Sequence, residues 1–143
     1  MIMHVLSSIP IYLLAVGFIP KGIFLLIERV CADFLWGEGD DKKKFHWIRW
    51  RGLCYPTDEG GAGFRSLIDM FKAFSCKLWW NFWCGRSLWA RFLSAKYCKG
   101  LHPCQISVPT LGSATLKRML DVRGLTDLFI RWSLHEGRCS FWY

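Results

Sequence analysis

Apolar positions recur along most of this chain at the spacing of α-helices, and only its last segment alternates like a strand. Residues 3–18 read as a first helix, apolar on nearly all sides, which Pro10 should kink or divide because proline removes a backbone donor and clashes with the preceding turn. A second helix opens at Pro20, a good first-turn residue. It sets Ile23, Ile27, Val30 and Phe34 on one face and Arg29 and Asp33 four residues apart on another, and Gly37 is placed to end it. Residues 38–65 show no sustained period and predict a loop with short extended pieces, in which Phe45, Trp47 and Trp50 are candidate anchors and Gly60, Gly61 and Gly63 mark tight turns. Helical spacing returns over 66–84, with Leu67, Phe71, Phe74, Leu78 and Phe82 on one stripe and Gly85 as the break. Ser87 can cap a helix over 88–98 whose inward residues would be Leu88, Phe92 and Ala95. A Pro- and Gly-containing connector over 100–110 leads to a helix over 111–122 with Leu116, Met119 and Leu120 as its apolar positions. Ile130, Trp132 and Leu134 alternate with Arg131 and Ser133, His135-Glu-Gly137 makes a turn, and Cys139 to Tyr143 begins a returning strand. The pattern predicts a mainly α fold: an irregular helical assembly with a short C-terminal β-hairpin, incomplete as an isolated domain.

Composition sharpens this picture. The 143 residues suffice for one domain with a modest core, yet 52% are hydrophobic and 17% aromatic, with nine Trp. So apolar a small domain must have part of its surface covered by another domain or meet a membrane. No charge occurs between Met1 and Pro20, a length approaching the ~20 residues that cross a bilayer. The segment lacks the basic n-region of a signal peptide, and Ser7, Ser8, Pro10 and Pro20 weigh against a span, yet on composition alone burial against a partner domain and a membrane anchor stand close to even. Anchoring of a small membrane-associated protein through residues 1–27 is the alternative.

The net charge of +8 is unevenly spread: residues 1–36 are neutral, whereas 66–100 carry +5. Lys72, Lys77, Arg86, Arg91, Lys96 and Lys99 stand there against Asp69 alone, interleaved with Trp and Phe. Cations among aromatics suit a surface that approaches phosphates, and the bland reading is a solvated helix face. The seven cysteines include no Cys-x-x-Cys pair and are odd in number, which points to reduced, mostly buried thiols in the cytoplasm or nucleus rather than a disulfide framework. Cys98, His102 and Cys104 could be joined to His135 or Cys139 as a zinc site only without the tight ligand pairs such sites use, so no metal ligand is assigned. Gly39-Asp40-Asp41 resembles a polymerase metal hairpin only superficially, because Lys42, Lys43 and Lys44 follow at once with no flanking strand. Glu59-Gly-Gly-Ala-Gly63 lacks the strand and the Lys-Ser/Thr of a phosphate loop, and reads as turn glycines. His46, beside Trp47, reads as a packing residue. No catalytic constellation is found.

Several blocks occur together and in order: Asp33-Phe-Leu-Trp-Gly37, His46-Trp-Ile-Arg-Trp50, Cys54-Tyr-Pro56 and Glu59-Gly-Gly-Ala-Gly-Phe-Arg65. They resemble the segment that follows the polymerase domain in plant non-LTR (LINE-type) retrotransposon polyproteins, with Ala62 where that family usually has Leu. Val5 to Tyr12, Pro20-Lys21 and Ile27-Glu28 are similar to the helices of the polymerase thumb, and Lys77-x-x-Trp80, Ser87-Leu-Trp89 and Lys96-Tyr97 to the helical region downstream. Trp132 through Trp142 resembles the block before the family's zinc-binding and ribonuclease H-like parts, although Gly137 stands where the family often has two glycines. The resemblance divides the chain into thumb-like helices (1–36), a Trp/Gly connector (37–65), a basic helical region (66–122) and a truncated hairpin (123–143), one domain fragment in all. It implies a parent with RNA-directed DNA polymerase activity that uses magnesium and binds RNA and DNA. The family's Tyr-x-Asp-Asp and palm carboxylates have no counterpart here, so the chain is expected to be a non-catalytic fragment needing no cofactor. Its expected partners are nucleic acid, bound non-specifically through the six cations above, and the parent's palm domain.

Overall fold

A computed structural model of the chain describes residues 12, 14, 15, 19–37, 46–107 and 112–131. The described residues are mainly α-helical. The expected first helix and the expected C-terminal hairpin fall largely outside them, as do Asp40, Asp41 and Phe45. Chain contacts group into two compact units, residues 1–73 and 74–143.

In the first unit, α1 runs Lys21–Trp36 with Pro20 as its N-cap. Gly37 ends it in the left-handed conformation (φ 67°), and its N–H bonds Phe34 O at 3.3 Å. Arg29 and Asp33 pair across one turn at 3.9 Å, and the same carboxylate meets His46 Nε2 at 3.3 Å while His46 stacks on Trp36. The face that packs is Phe24, Glu28 and Cys31, with Phe24 edge-on to Phe71 at 5.2 Å. The expected stripe of Ile23, Val30 and Phe34 points outward instead (43%, 59% and 63% exposed), with Ile27 half-buried. Both faces carry apolar residues, so periodicity alone could not choose between them.

After α1 come one turn of helix, α2 (Trp50–Leu53), and a 3-10 turn, Thr57–Glu59. The glycine block then folds back onto them: Ala62 and Phe64 N–H both donate to Leu53 O, Gly63 N–H to Tyr55 O and Gly61 N–H to Pro56 O, all at 2.9–3.2 Å. A Cβ on Gly61 would collide with the Tyr55 backbone, which is why glycine stands there. Trp50 packs on Phe64 at 5.2 Å, whereas the other expected anchor, Trp47, is exposed.

The long helix α3, Leu67–Cys84, leads into the second unit. Ser75, Trp79 and Phe82 are its most buried residues there. Gly85 (φ 65°) breaks it as expected, and Ser87 Oγ accepts the Ala90 N–H to cap α4, Leu88–Leu93. A π-helical turn, Ser94–Cys98, extends α4. The inward residues are Ala90, Leu93 and Cys98, which corrects the expected Leu88, Phe92 and Ala95; those three are exposed. The π-turn explains part of the difference, since five residues rather than four separate Leu93 from the next core position. A 3-10 turn, Pro103–Gln105, precedes α5, Ala114–Asp121, which Ser113 caps through the Leu116 N–H. A short α6, Arg123–Asp127, follows. Leu116, Met119 and Leu120 enter the core as the pattern predicts, packing with Trp79, Phe82 and Leu93. No helix among the described residues is long and apolar enough to cross a membrane.

Candidate nucleic-acid interface

All six candidate cations reach the surface, for reasons that lie in the helices carrying them. On α3, Lys77 is exposed because the neighbouring Ser75 and Trp79 take the core side. Arg86 lies in the short link that Gly85 and Ser87 define, and Arg91 lies between the buried Ala90 and Leu93 but on the outer side of α4. Lys96 sits on the π-turn, with its ammonium 5.2 Å from the Tyr97 ring centroid and 5.9 Å from that of Phe92. Two ring faces attract one cation by their quadrupoles. Hydrogen bonding at Ser113 pulls the Tyr97 phenol below its ordinary range, and the nearby Lys96 adds to this. Lys99 ends the turn at φ 48°, a left-handed conformation that costs a non-glycine residue of order 1 kcal/mol. Lys72 differs: it belongs to the first unit and pairs with Asp69 at 3.8 Å. Five of the six therefore share the second unit.

Aromatic rings accompany them. Trp80, Trp89 and Phe92 are exposed, and Trp80 lies against Trp83 at 5.1 Å between centroids. Trp83 is fixed from behind by its indole N–H, which donates to Cys104 Sγ at 3.0 Å, and by an edge-on contact with His102. Burial pulls the His102 imidazole below its usual value and pushes the Cys104 thiol up. These two residues serve as supports of an indole. No group of three metal-ligating side chains occurs among the described residues.

Two curated plant proteins are similar to this chain. One is a protein of Arabidopsis thaliana named for ribonuclease H, 35% identical over 144 residues, which cover 96% of this chain; the chain spans only 23% of that relative's length. The other is an uncharacterised mitochondrial protein of the same plant, 30% identical over 132 residues that cover 91% of this chain and 86% of the relative. The chain belongs to that mitochondrial protein's family. Kinship with a ribonuclease H-named protein supports a retroelement-related origin for this family member. No family model and no solved structure matches the chain.

Other charged residues of this family member give no sign of their role in the sequence. Arg118, beside Lys117 in an ordinary basic pair, is buried in the second unit, where its Nε donates to Ser75 Oγ at 2.6 Å and burial lowers its pKa. Glu28 is buried on α1, where burial raises its pKa against the opposing pull of Arg51. Only the placement of Glu28 four residues after Phe24, on the packed face, could have signalled this.

The sign of the Glu28 effect follows from linkage. A carboxyl raised above its unfolded value near 4.5 stabilises the fold fully below that pH and loses this contribution as pH rises through the folded value. Glu28→Gln, a stand-in for the protonated form, is expected to raise the unfolding midpoint at pH 7 more than at pH 4. Denaturation of both chains across that range checks this; a pH-independent difference would contradict it.

Proposed function

We propose that this chain corresponds to the thumb and post-polymerase region of a non-LTR retrotransposon reverse transcriptase, and that its basic helical surface supports the template–primer by binding nucleic acid without catalysing a step. The observation that carries the reading is the exposure of Lys77, Arg86, Arg91, Lys96 and Lys99 in one unit that also exposes the rings of Trp80, Trp89 and Phe92, with the Lys96 ammonium 5.9 Å from the Phe92 ring centroid. Cations hold phosphates regardless of sequence, and indole and phenyl faces accept unpaired bases. The ordered sequence blocks support it, and the likeness to a ribonuclease H-named relative accords with its retroelement origin. The free thiols of the described cysteines accord with a cytoplasmic or nuclear setting.

Replacement of Lys72, Lys77, Arg86, Arg91, Lys96 and Lys99 by Gln tests the proposal. Each cation that no longer neutralises a phosphate should flatten the dependence of log binding constant on log salt by about 0.7 for single-stranded RNA. Because all six side chains are exposed, the variant should keep its helix content. An unchanged salt slope would dispose of the assignment.

A further inference from the structure

The first unit holds a cleft of about 300 Å³ that takes in Lys72 and none of the other five candidate cations. Arg51, Cys54 and Tyr55 form one wall, and Ser66, Asp69 and Lys72, at the start of α3, form the other. The first wall is held rigidly by the hydrogen bonds of Ala62, Gly63 and Phe64 to the carbonyls of Leu53 and Tyr55, and by the close approach of Gly61 to the Tyr55 backbone. On the second wall, Ser66 Oγ accepts the Asp69 N–H at 3.3 Å. The glycine block is thus a buttress for this cleft.

We propose that the cleft binds one ribonucleoside monophosphate unit. Arg51 and Lys72 supply two cations for the phosphate, the Tyr55 ring offers a stacking face for the base, and Asp69 offers an acceptor to a ribose hydroxyl. The volume stands at the lower end of small-molecule sites and suits one nucleotide unit. Lys72 and Asp69 pair at 3.8 Å with both side chains largely in solvent, an ion pair weak enough for the ammonium to turn to a phosphate. Asp69 opposes an isolated anion, so the cleft favours a nucleotide over inorganic phosphate. Glu28, buried on α1, lies within electrostatic reach of Arg51, whose charge opposes the upward push of burial on the Glu28 carboxyl. Cys54 takes no part as a nucleophile, because burial pushes its thiol up to about 11.

Equilibrium dialysis of the full chain against AMP, UMP, adenosine and inorganic phosphate tests the site and tolerates self-association of the protein. Saturable binding of AMP or UMP at one site per chain is expected, with adenosine and phosphate each at least about tenfold weaker. Arg51→Gln and Tyr55→Ala should each weaken AMP binding about tenfold, and Arg51→Lys should recover part of the loss. Tyr55 and Lys72 are exposed, so Tyr55→Ala and Lys72→Gln keep the test decisive should Arg51→Gln misfold. Substitution of Lys77, Arg86, Arg91, Lys96 and Lys99 by Gln should leave AMP binding intact while flattening the RNA salt slope, which separates this site from the basic surface. The proposal is overturned by the absence of saturable nucleotide binding, by adenosine binding as tightly as AMP, or by unchanged affinity in the Tyr55 and Lys72 variants.

Discussion

Trp79→Ala is expected to cost about 3–5 kcal/mol and to abolish the cooperative unfolding of the second unit. Trp79 is wholly buried at the centre of a cluster formed with Phe82, Leu93, Leu116 and Met119, its ring 5.9 Å from that of Phe82. Truncation removes the largest side chain of that core and leaves a cavity its neighbours, fixed on three separate helices, cannot collapse to fill. A domain of this size has a total stability of about 5–15 kcal/mol, so the loss decides whether the unit folds. The indole N–H of Trp79 works the other way: it is buried without a hydrogen-bond partner, and a buried donor left unpaired costs about 1–3 kcal/mol. Trp79→Phe deletes that donor while retaining a ring, and should therefore be far milder than Trp79→Ala. Urea denaturation followed by circular dichroism measures both. Equal losses in the two variants would show that the indole is not the keystone its burial implies.

The elements of this fold were legible where a local rule has one solution. Pro20 and Gly37 bound α1, Gly85 breaks α3, and Ser87 caps α4, because each acts through backbone geometry or a side-chain bond within a few residues. Leu116, Met119 and Leu120 were readable because α5 has a single apolar face among Lys117, Arg118 and Asp121. Faces failed where both sides of a helix are apolar. On α4, Leu88 and Phe92 look as inward as Ala90 and Leu93 until the π-turn and Cys98 fix the phase. Charge favoured the surface for the six cations, a rule that Arg118 breaks, but the separation of Lys72 from the rest could not be read, since it is set by tertiary contacts. In the sequence Tyr55 is only the middle residue of a Cys-x-Pro block, and Arg51 lies three residues before that block's cysteine. Their convergence with Ser66 and Lys72 is a tertiary fact, created when the glycine turn folds back on Leu53.

The isolated chain is expected to be helical by far-UV circular dichroism and yet to associate at micromolar concentration. The cause is the outward face of α1, where Ile23, Leu26, Val30 and Phe34 are all exposed at the i, i+3, i+7 and i+11 positions of one helix. Leu25 beside them is also exposed. An amphipathic helix ordinarily buries such a stripe and leaves its charges outside; α1 instead buries Glu28 and presents leucine, valine and phenylalanine to water. Covering each of these side chains would contribute roughly 1.5–3 kcal/mol when complete, enough in combination to drive the association of identical chains. Leu26→Lys, Val30→Lys and Phe34→Lys together should disperse the protein. These side chains make little of the packed interior, so helix content should survive the change while the sedimenting mass falls. Analytical ultracentrifugation of the two chains decides the matter. A single monomeric boundary for the unaltered chain, with dispersed NMR spectra, would mean that this face is tolerated in water and needs no covering surface, and would weaken the reading of the chain as a region of a larger polymerase.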